Sequence, residues 1–285
     1  MRAEIQIPSL QVVTSEPPQG ALLRAEHVTL EYAAPQGTVR ATEDVSFEVH
    51  RGDRFVLLGP SGCGKSTLLK AVGGFIAPSA GSLRLGGKTI GGPGPDRIVV
   101  FQEFDQLPPW KTVEANVMFP MLAGGLRPRE ARERARDWLA RVGLARFIGA
   151  YPHMLSGGMK ARVAIARALA MQPDILLMDE PFAALDALTR RTMQQELQRL
   201  WDEIGFTMLF VTHSIEEALV VGNRILLLSP HPGRVRAELN SHQFDLGSAG
   251  SAEFQAANER IHRLLFGTAA APAEAHSHPP LAMHS

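Results

Sequence analysis

Gly59-Pro-Ser-Gly-Cys-Gly-Lys-Ser-Thr67 directly follows a nearly continuous apolar run, Arg54–Leu58, and leads into a helical pattern over Lys65–Val72. Strand, glycine-rich turn and helix in immediate succession is the setting that a phosphate-binding loop requires. The glycines let consecutive backbone N–H groups converge on phosphate oxygens with no Cβ in the way, and the helix N-terminus adds its positive dipole end. The nucleotide contacts are therefore expected from Gly59, Pro60, Ser61, Gly62, Cys63, Gly64, Lys65, Ser66 and Thr67. Lys65 is expected to reach the β- and γ-phosphates, and the Ser66 hydroxyl to ligate Mg²⁺. Cys63 stands at a variable place in the pattern and reads as a small tolerated side chain.

Downstream, Ile175-Leu-Leu-Met-Asp-Glu180 is an apolar strand ending in two acids. Asp179 at the strand tip suits Mg²⁺ held through water, and Glu180, one residue on, points elsewhere and suits polarising an attacking water. His213 follows another apolar run, Met208–Val211, and precedes Ser214-Ile-Glu-Glu217, which has capping-box spacing for a helix start. In a doubly wound sheet the strand ends gather at the ligand, so His213 is expected beside the γ-phosphate. Leu155-Ser156-Gly157-Gly158-Met159 opens a helical pattern over Gly158–Ala170, with Ser156 placed to cap it and a bare Gly-Gly backbone able to approach an anion. One phosphate loop already serves the nucleotide of this chain. The second anion site therefore reads as one that meets ATP bound to another subunit.

The remaining pattern divides in two. Leu22–Tyr32, Val45–Val49 and Ser82–Leu85 alternate polar and apolar residues, as in an antiparallel sheet with one wetter face. Arg54–Leu58, Ile98–Phe101, Ile175–Met178, Met208–Val211 and Arg224–Leu228 are short continuous apolar runs, as in parallel strands buried on both faces. Helical patterns occupy Pro128–Val142, Ala187–Ile204, Ile215–Val221 and Glu253–Phe266. Residues 1 to about 20 read as a loose tail, 21–266 as the folded domain, and 267–285 as a disordered Ala-, Pro- and His-rich tail. His276, His278 and His284 there lack Cys or acidic partners at ligand spacing and read as solvated.

Lysine plus arginine (29) equals aspartate plus glutamate (29), so no net field draws the chain to nucleic acid or anionic lipid. The single cysteine excludes an internal disulfide and fits a reducing compartment. The apolar runs are strand-sized, well short of the ~20 residues of a bilayer-spanning helix, so any membrane part is expected from another chain.

In this order, these motifs resemble the ATP-binding subunit of an ABC transporter, over roughly Leu22 to Phe266. The resemblance implies an α/β fold: a P-loop NTPase cassette with a mostly parallel core sheet, an antiparallel β subdomain and a helical insertion at about 103–170. It implies a head-to-tail dimer with a second copy, binding ATP and Mg²⁺ at the interface. By the same resemblance, Gln102 touches Mg²⁺ and links core to insertion, Tyr32 stacks on adenine, and Asp186 of Ala184-Leu-Asp186 lies in a loop crossing the dimer interface. Asp186 also reads as the N-cap of the helix that follows.

Val100–Val113, Pro181–Arg190 and Ser229-Pro-His-Pro-Gly-Arg234 resemble the nitrate/sulfonate/taurine class of bacterial importers. Lys160-Ala161 and Pro108-Pro109-Trp110 depart from the commoner pattern of that class, at places away from the nucleotide chemistry. Prolines stiffen that loop and an aromatic near the surface suits a partner's docking groove. The implied partners are two membrane-spanning permease subunits and, indirectly, a periplasmic solute-binding protein, with the chain peripheral on the cytoplasmic face of the inner membrane. Alternatives are a soluble ABC ATPase of translation or DNA repair, an exporter subunit, and a small-molecule kinase or GTPase. The first usually has fused cassettes or a long coiled-coil insertion, and neither pattern is present; the last has no role for Leu155–Met159.

Overall fold

The computed structural model describes residues 20–34, 37–101 and 106–267. The expected tails, with His276, His278 and His284, lie almost wholly outside the described residues, and so does Gln102. Ten strands and seven α-helices are described. In chain order they are β1 (Leu23–Ala34), β2 (Gly37–Val49), β3 (Arg54–Leu58), α1 (Lys65–Val72), β4 (Ala80–Leu85), β5 (Lys88–Thr89) and β6 (Arg97–Val100). Then come α2 (Val113–Ala123), α3 (Pro128–Arg141), α4 (Gly157–Leu169), β7 (Ile175–Asp179), α5 (Ala187–Ile204), β8 (Met208–Thr212), α6 (Ile215–Val221), β9 (Arg224–Leu228), β10 (Val235–Asn240) and α7 (Ala252–Phe266).

Two sheets form, and burial explains which strand joins which. β7 and β8 are buried at every residue and pair in parallel within a six-stranded sheet of order β10-β9-β3-β8-β7-β6. Their side chains alternate between two cores: Leu176, Met178 and Phe210 join the helices α2 to α7 on one face, while Ile175, Leu177 and Leu209 join α1 and the antiparallel strands on the other. The four-stranded antiparallel sheet, β2-β1-β4-β5, has the alternating burial expected of one wet face. Phe47 of β2 stacks on Phe55 of β3, with ring centroids 5.4 Å apart, and ties the two sheets together. Among the described residues no helix is long and apolar enough to cross a membrane.

Some expectations need correction. The strand read as Ile98–Phe101 is Arg97–Val100, and Phe101 lies beyond it, partly exposed. The strand read as Val45–Val49 begins at Gly37, because its first half pairs with β1 up to the hairpin end. The Ser214–Glu217 capping box is only half made. Ser214 Oγ accepts from the Glu217 N–H at 3.3 Å, but the Glu217 carboxylate takes bonds from Thr212 and Gln194.

Helix α2 and strand β10 have no counterpart in the periodicity. In α2, apolar residues occupy buried and exposed sides alike (Val113, Val117 and Met121 against Phe119 and Leu122), and Pro120 signals a break. In β10 only Leu239 is fully buried, as befits an edge strand antiparallel to β9.

Candidate nucleotide-binding site

The phosphate loop joins the end of β3 to α1. Gly64 sits at φ 92°, and a Cβ there would lie 2.6 Å from the Ala41 carbonyl oxygen and 2.7 Å from Thr42 Cγ2, so no larger residue fits. β2 thus packs directly against the loop at Gly64, and a loop of bare backbone held in this way at the start of α1 fits a phosphate chain. Ser61 and Gly62 are exposed at the tip, while Cys63 and Lys65 are buried. The Lys65 ammonium donates to the carbonyls of Gly59 at 2.8 Å and Pro60 at 2.9 Å. These bonds hold the charge on the loop itself. Burial pushes the Cys63 thiol above its ordinary pKa, against the pull of nearby Lys65, which keeps it an unreactive thiol.

Parallel pairing of β3, β8 and β7 brings the strand ends together. The Ser66 hydroxyl donates to Asp179 Oδ1 at 2.7 Å. A hydroxyl and a carboxylate side by side are the hard oxygen donors that Mg²⁺ takes, so these residues fit the ion. Burial raises the Asp179 pKa; the Ser66 bond opposes this, and the charge of Glu180 pushes it further up. An acid whose pKa rises on folding destabilises the fold wherever it is ionised. Asp179→Asn keeps an acceptor for Ser66 and removes that charge. Its thermal midpoint without nucleotide at neutral pH is expected to rise, while Mg²⁺-dependent ATP hydrolysis is lost; a midpoint at or below that of the natural chain contradicts this account.

Glu180 directly follows β7 and has a left-handed backbone, φ 46°. Such a conformation in a non-glycine residue costs on the order of 1–3 kcal/mol and is held by its surroundings. Here the Glu180 N–H donates to Val211 O at 3.1 Å, and the Ala183 N–H donates back to Glu180 O at 3.1 Å. The bend turns the Glu180 side chain to His213, whose Nδ1 lies 3.0 Å from Glu180 Oε2. A carboxylate oxygen can accept this bond from an N–H at imidazole Nδ1.

Leu155–Met159 occupies a different place. Ser156 is exposed and caps α4, its Oγ accepting from the Met159 N–H at 3.3 Å. Gly158 is buried, and a Cβ there would lie 2.9 Å from Thr189 Cγ2 of α5. Thr189 in turn donates its N–H to Asp186 Oδ1 at 3.0 Å. The fold thus brings Leu155–Met159 beside Asp186. Among the described residues no hydrogen bond or ion pair links this pair of segments to Lys65, Ser66, Asp179, Glu180 or His213. Tyr32 is half-exposed near the end of β1, opposite Val39.

Supporting residues escaped the sequence reading. Thr212 donates to the buried Glu217, which Gln194 also binds, and accepts from the Ser214 N–H at 3.0 Å; this network holds the turn carrying His213. Arg167, whose pKa is lowered by burial, donates to Gln106 O at 2.7 Å and Oε1 at 2.8 Å. Gln106 Nε2 donates to Phe101 O at 3.1 Å, so the three bonds tie α4 to the residue that follows β6. An arginine set among alanines on α4, Ala166-Arg167-Ala168, was the available signal for this tie.

Comparison with known proteins agrees with this geometry. Residues 42–183 match the family model described as ABC transporter. The taurine import ATP-binding protein TauB of Rhizobium johnstonii is 50% identical over 220 residues, 77% of this chain and 84% of that protein. The bicarbonate transport ATP-binding protein CmpD of Synechocystis is 44% identical over 214 residues, 74% of this chain and 76% of that one. A solved dimeric structure of the ATP-binding cassette MJ0796 in a post-hydrolysis state, bound to ADP and Pi, superposes with TM-score 0.67 at 34% identity, covering 78% of this chain and all of that one. A glycine-rich loop opening a helix, hard oxygen donors, a carboxylate turned to a histidine and this likeness agree, and the chain belongs to the ABC transporter family as one of its ATP-hydrolysing subunits.

Proposed function

We propose that this ABC importer ATPase powers uptake of a small solute of the nitrate, sulfonate or taurine kind. The observation that carries the solute class is the 50% identity to a taurine import protein over most of both chains. Two copies dock on the cytoplasmic face of two membrane-spanning permease subunits. A periplasmic binding protein selects the solute, which this chain never touches. The soluble and exporter alternatives have no comparable support.

Within each site the roles follow from chemistry. Tyr32 stacks on adenine and the loop from Gly59 to Thr67 wraps the phosphates, with Lys65 against the β- and γ-oxygens. Ser66, Asp179 and Gln102 hold Mg²⁺, which when bound neutralises phosphate charge. His213 engages Oε2 of Glu180, leaving Oε1 to accept the proton of an attacking water. Leu155–Met159 of the second copy completes the site, and Asp186 lies in the loop between the two sites. The insertion at about 103–170 conveys closure to the permease; exposed Phe101 and Trp110, which precede its first helix, and exposed Phe119 on that helix supply apolar docking area.

Uptake tests this reading. Cells lacking the chain and supplied with it again should recover uptake of labelled taurine, an alkanesulfonate or nitrate, and cells supplied with Lys65→Ala should not. In the purified variant, ATP affinity should fall, because the one fixed positive charge in the loop is gone. Restoration of none of the three solutes by the natural chain overturns the solute class. Unchanged ATP affinity in Lys65→Ala overturns the role of the lysine.

A further inference from the structure

The phosphate loop is braced from behind by the connection between β9 and β10. Ala41–Glu43 of β2 lies between them, with Thr42 fully buried. On one side Ala41 O and Thr42 Cγ2 press against Gly64. On the other, the Gly233 N–H donates to Ala41 O at 3.0 Å, and Gly233 O accepts from the Glu43 N–H at 2.9 Å. Gly233 also reaches past β2 to the loop itself: a Cβ on it would lie 2.1 Å from the Cys63 carbonyl oxygen. That distance is far inside van der Waals contact, so only glycine fits between β2 and the loop.

The connection is in turn fastened. Ser229 and Arg234 close it, the Arg234 N–H donating to Ser229 Oγ at 3.0 Å and the Ser229 N–H to Arg234 O at 2.9 Å. The Arg234 guanidinium binds Glu43 Oε2 through Nη2 at 2.6 Å and Nε at 3.1 Å. Glu43 is held from its other side by Arg40 at 3.2 Å, and Arg40 by Glu31 at 2.8 Å, next to Tyr32. One chain of charges therefore runs from the β1–β2 hairpin to the back of the phosphate loop.

We propose that Gly233 and Arg234 are positioning residues, which hold the phosphate loop in its phosphate-binding shape by fixing the Cys63–Gly64 peptide. In a trans peptide the C=O and the following N–H point to opposite sides. Packing the Cys63 carbonyl against Gly233 therefore holds the Gly64 N–H facing away from Gly233. Release of that carbonyl lets the peptide rotate, and the converging set of N–H donors loses its geometry. Arg234 acts one step further out, by seating the connection on β2. The inference rests on Gly59–Thr67 being the ATP site.

The test measures MgATP affinity by nucleotide titration, and KM against kcat, for the natural chain, Gly233→Ala, Arg234→Ala and Arg234→Lys, well below their thermal midpoints. Gly233→Ala is expected to weaken MgATP binding about tenfold or more, as overpacking at a rigid contact does. Arg234→Ala should weaken it about threefold, in keeping with a largely exposed ion pair, and Arg234→Lys should recover part of that loss. In all of them KM should move more than kcat, whereas a merely structural role would lower the thermal midpoint and leave affinity at low temperature unchanged. Folded Gly233→Ala with unaltered affinity overturns the proposal; where that variant does not fold, unaltered affinity in Arg234→Ala overturns it. A natural chain that binds no MgATP overturns the assignment of the loop and the brace with it.

Discussion

Glu180→Gln is expected to keep ATP binding and to lower hydrolysis about 10²–10⁴-fold, the range for loss of a positioned general base. The amide has the shape of the carboxylate but cannot take a proton from water. Glu180 is suited to that task by its geometry. Its backbone lies at φ 46°, and its side chain meets His213 Nδ1 at 3.0 Å. Gln can still receive that bond, so the site should keep its form and the defect should lie in turnover. With hydrolysis blocked, ATP should hold two copies together, and size-exclusion chromatography with MgATP should show a dimer where the natural chain returns to monomer. Near-normal turnover in this variant removes Glu180 from the role assigned to it.

Ser156→Arg should abolish hydrolysis while each chain still folds and binds ATP. Its side chain is exposed at the start of α4, and among the described residues no hydrogen bond links it to the phosphate loop of its own chain. Loss of the cap costs the helix about 1 kcal/mol, too little to unfold a domain with two extensive cores. The obstruction falls on closure with the second copy. Mixing Ser156→Arg with Lys65→Ala separates this from a local defect. In a mixed dimer one composite site carries both lesions and the other carries neither, so two inactive proteins together should recover part of the ATPase activity. Mixed dimers that demonstrably form and yet hydrolyse nothing remove the cross-subunit role of Leu155–Met159.

How far the chain could be read in advance depended on where the physics is local. Arg54–Leu58, Lys65–Val72, Ala187–Ile204, Ile215–Val221 and Arg224–Leu228 have the ends that sequence alone predicts. Their signals lie within a few residues: a run buried on both faces, a glycine turn, or an Asp or Ser cap. Helix α2 was hidden because it is wrapped by neighbours on one side and left apolar on the other, so its pattern has no single face. β10 was hidden because an edge strand takes its hydrogen bonds from β9 and little from its own residues.

The site divides along the same line. Gly59–Thr67, Asp179, Glu180, His213 and Leu155–Met159 are short motifs, and their residues in that order carry the resemblance to an ATP-hydrolysing cassette of the ABC type that the comparisons bear out. The sequence by itself did not determine which of these groups touch. The contact of Ser66 with Asp179 joins residues 113 apart, and that of His213 with Glu180 joins residues 33 apart; both depend on parallel strand ends meeting. Gly158 lies against Thr189, and Gly233 lies behind Cys63, because elements remote in sequence pack there and leave no room for a Cβ. Local periodicity is set by a residue and its near neighbours along the chain. Close approach of backbones is set by the sheet order, and only the tertiary structure holds that.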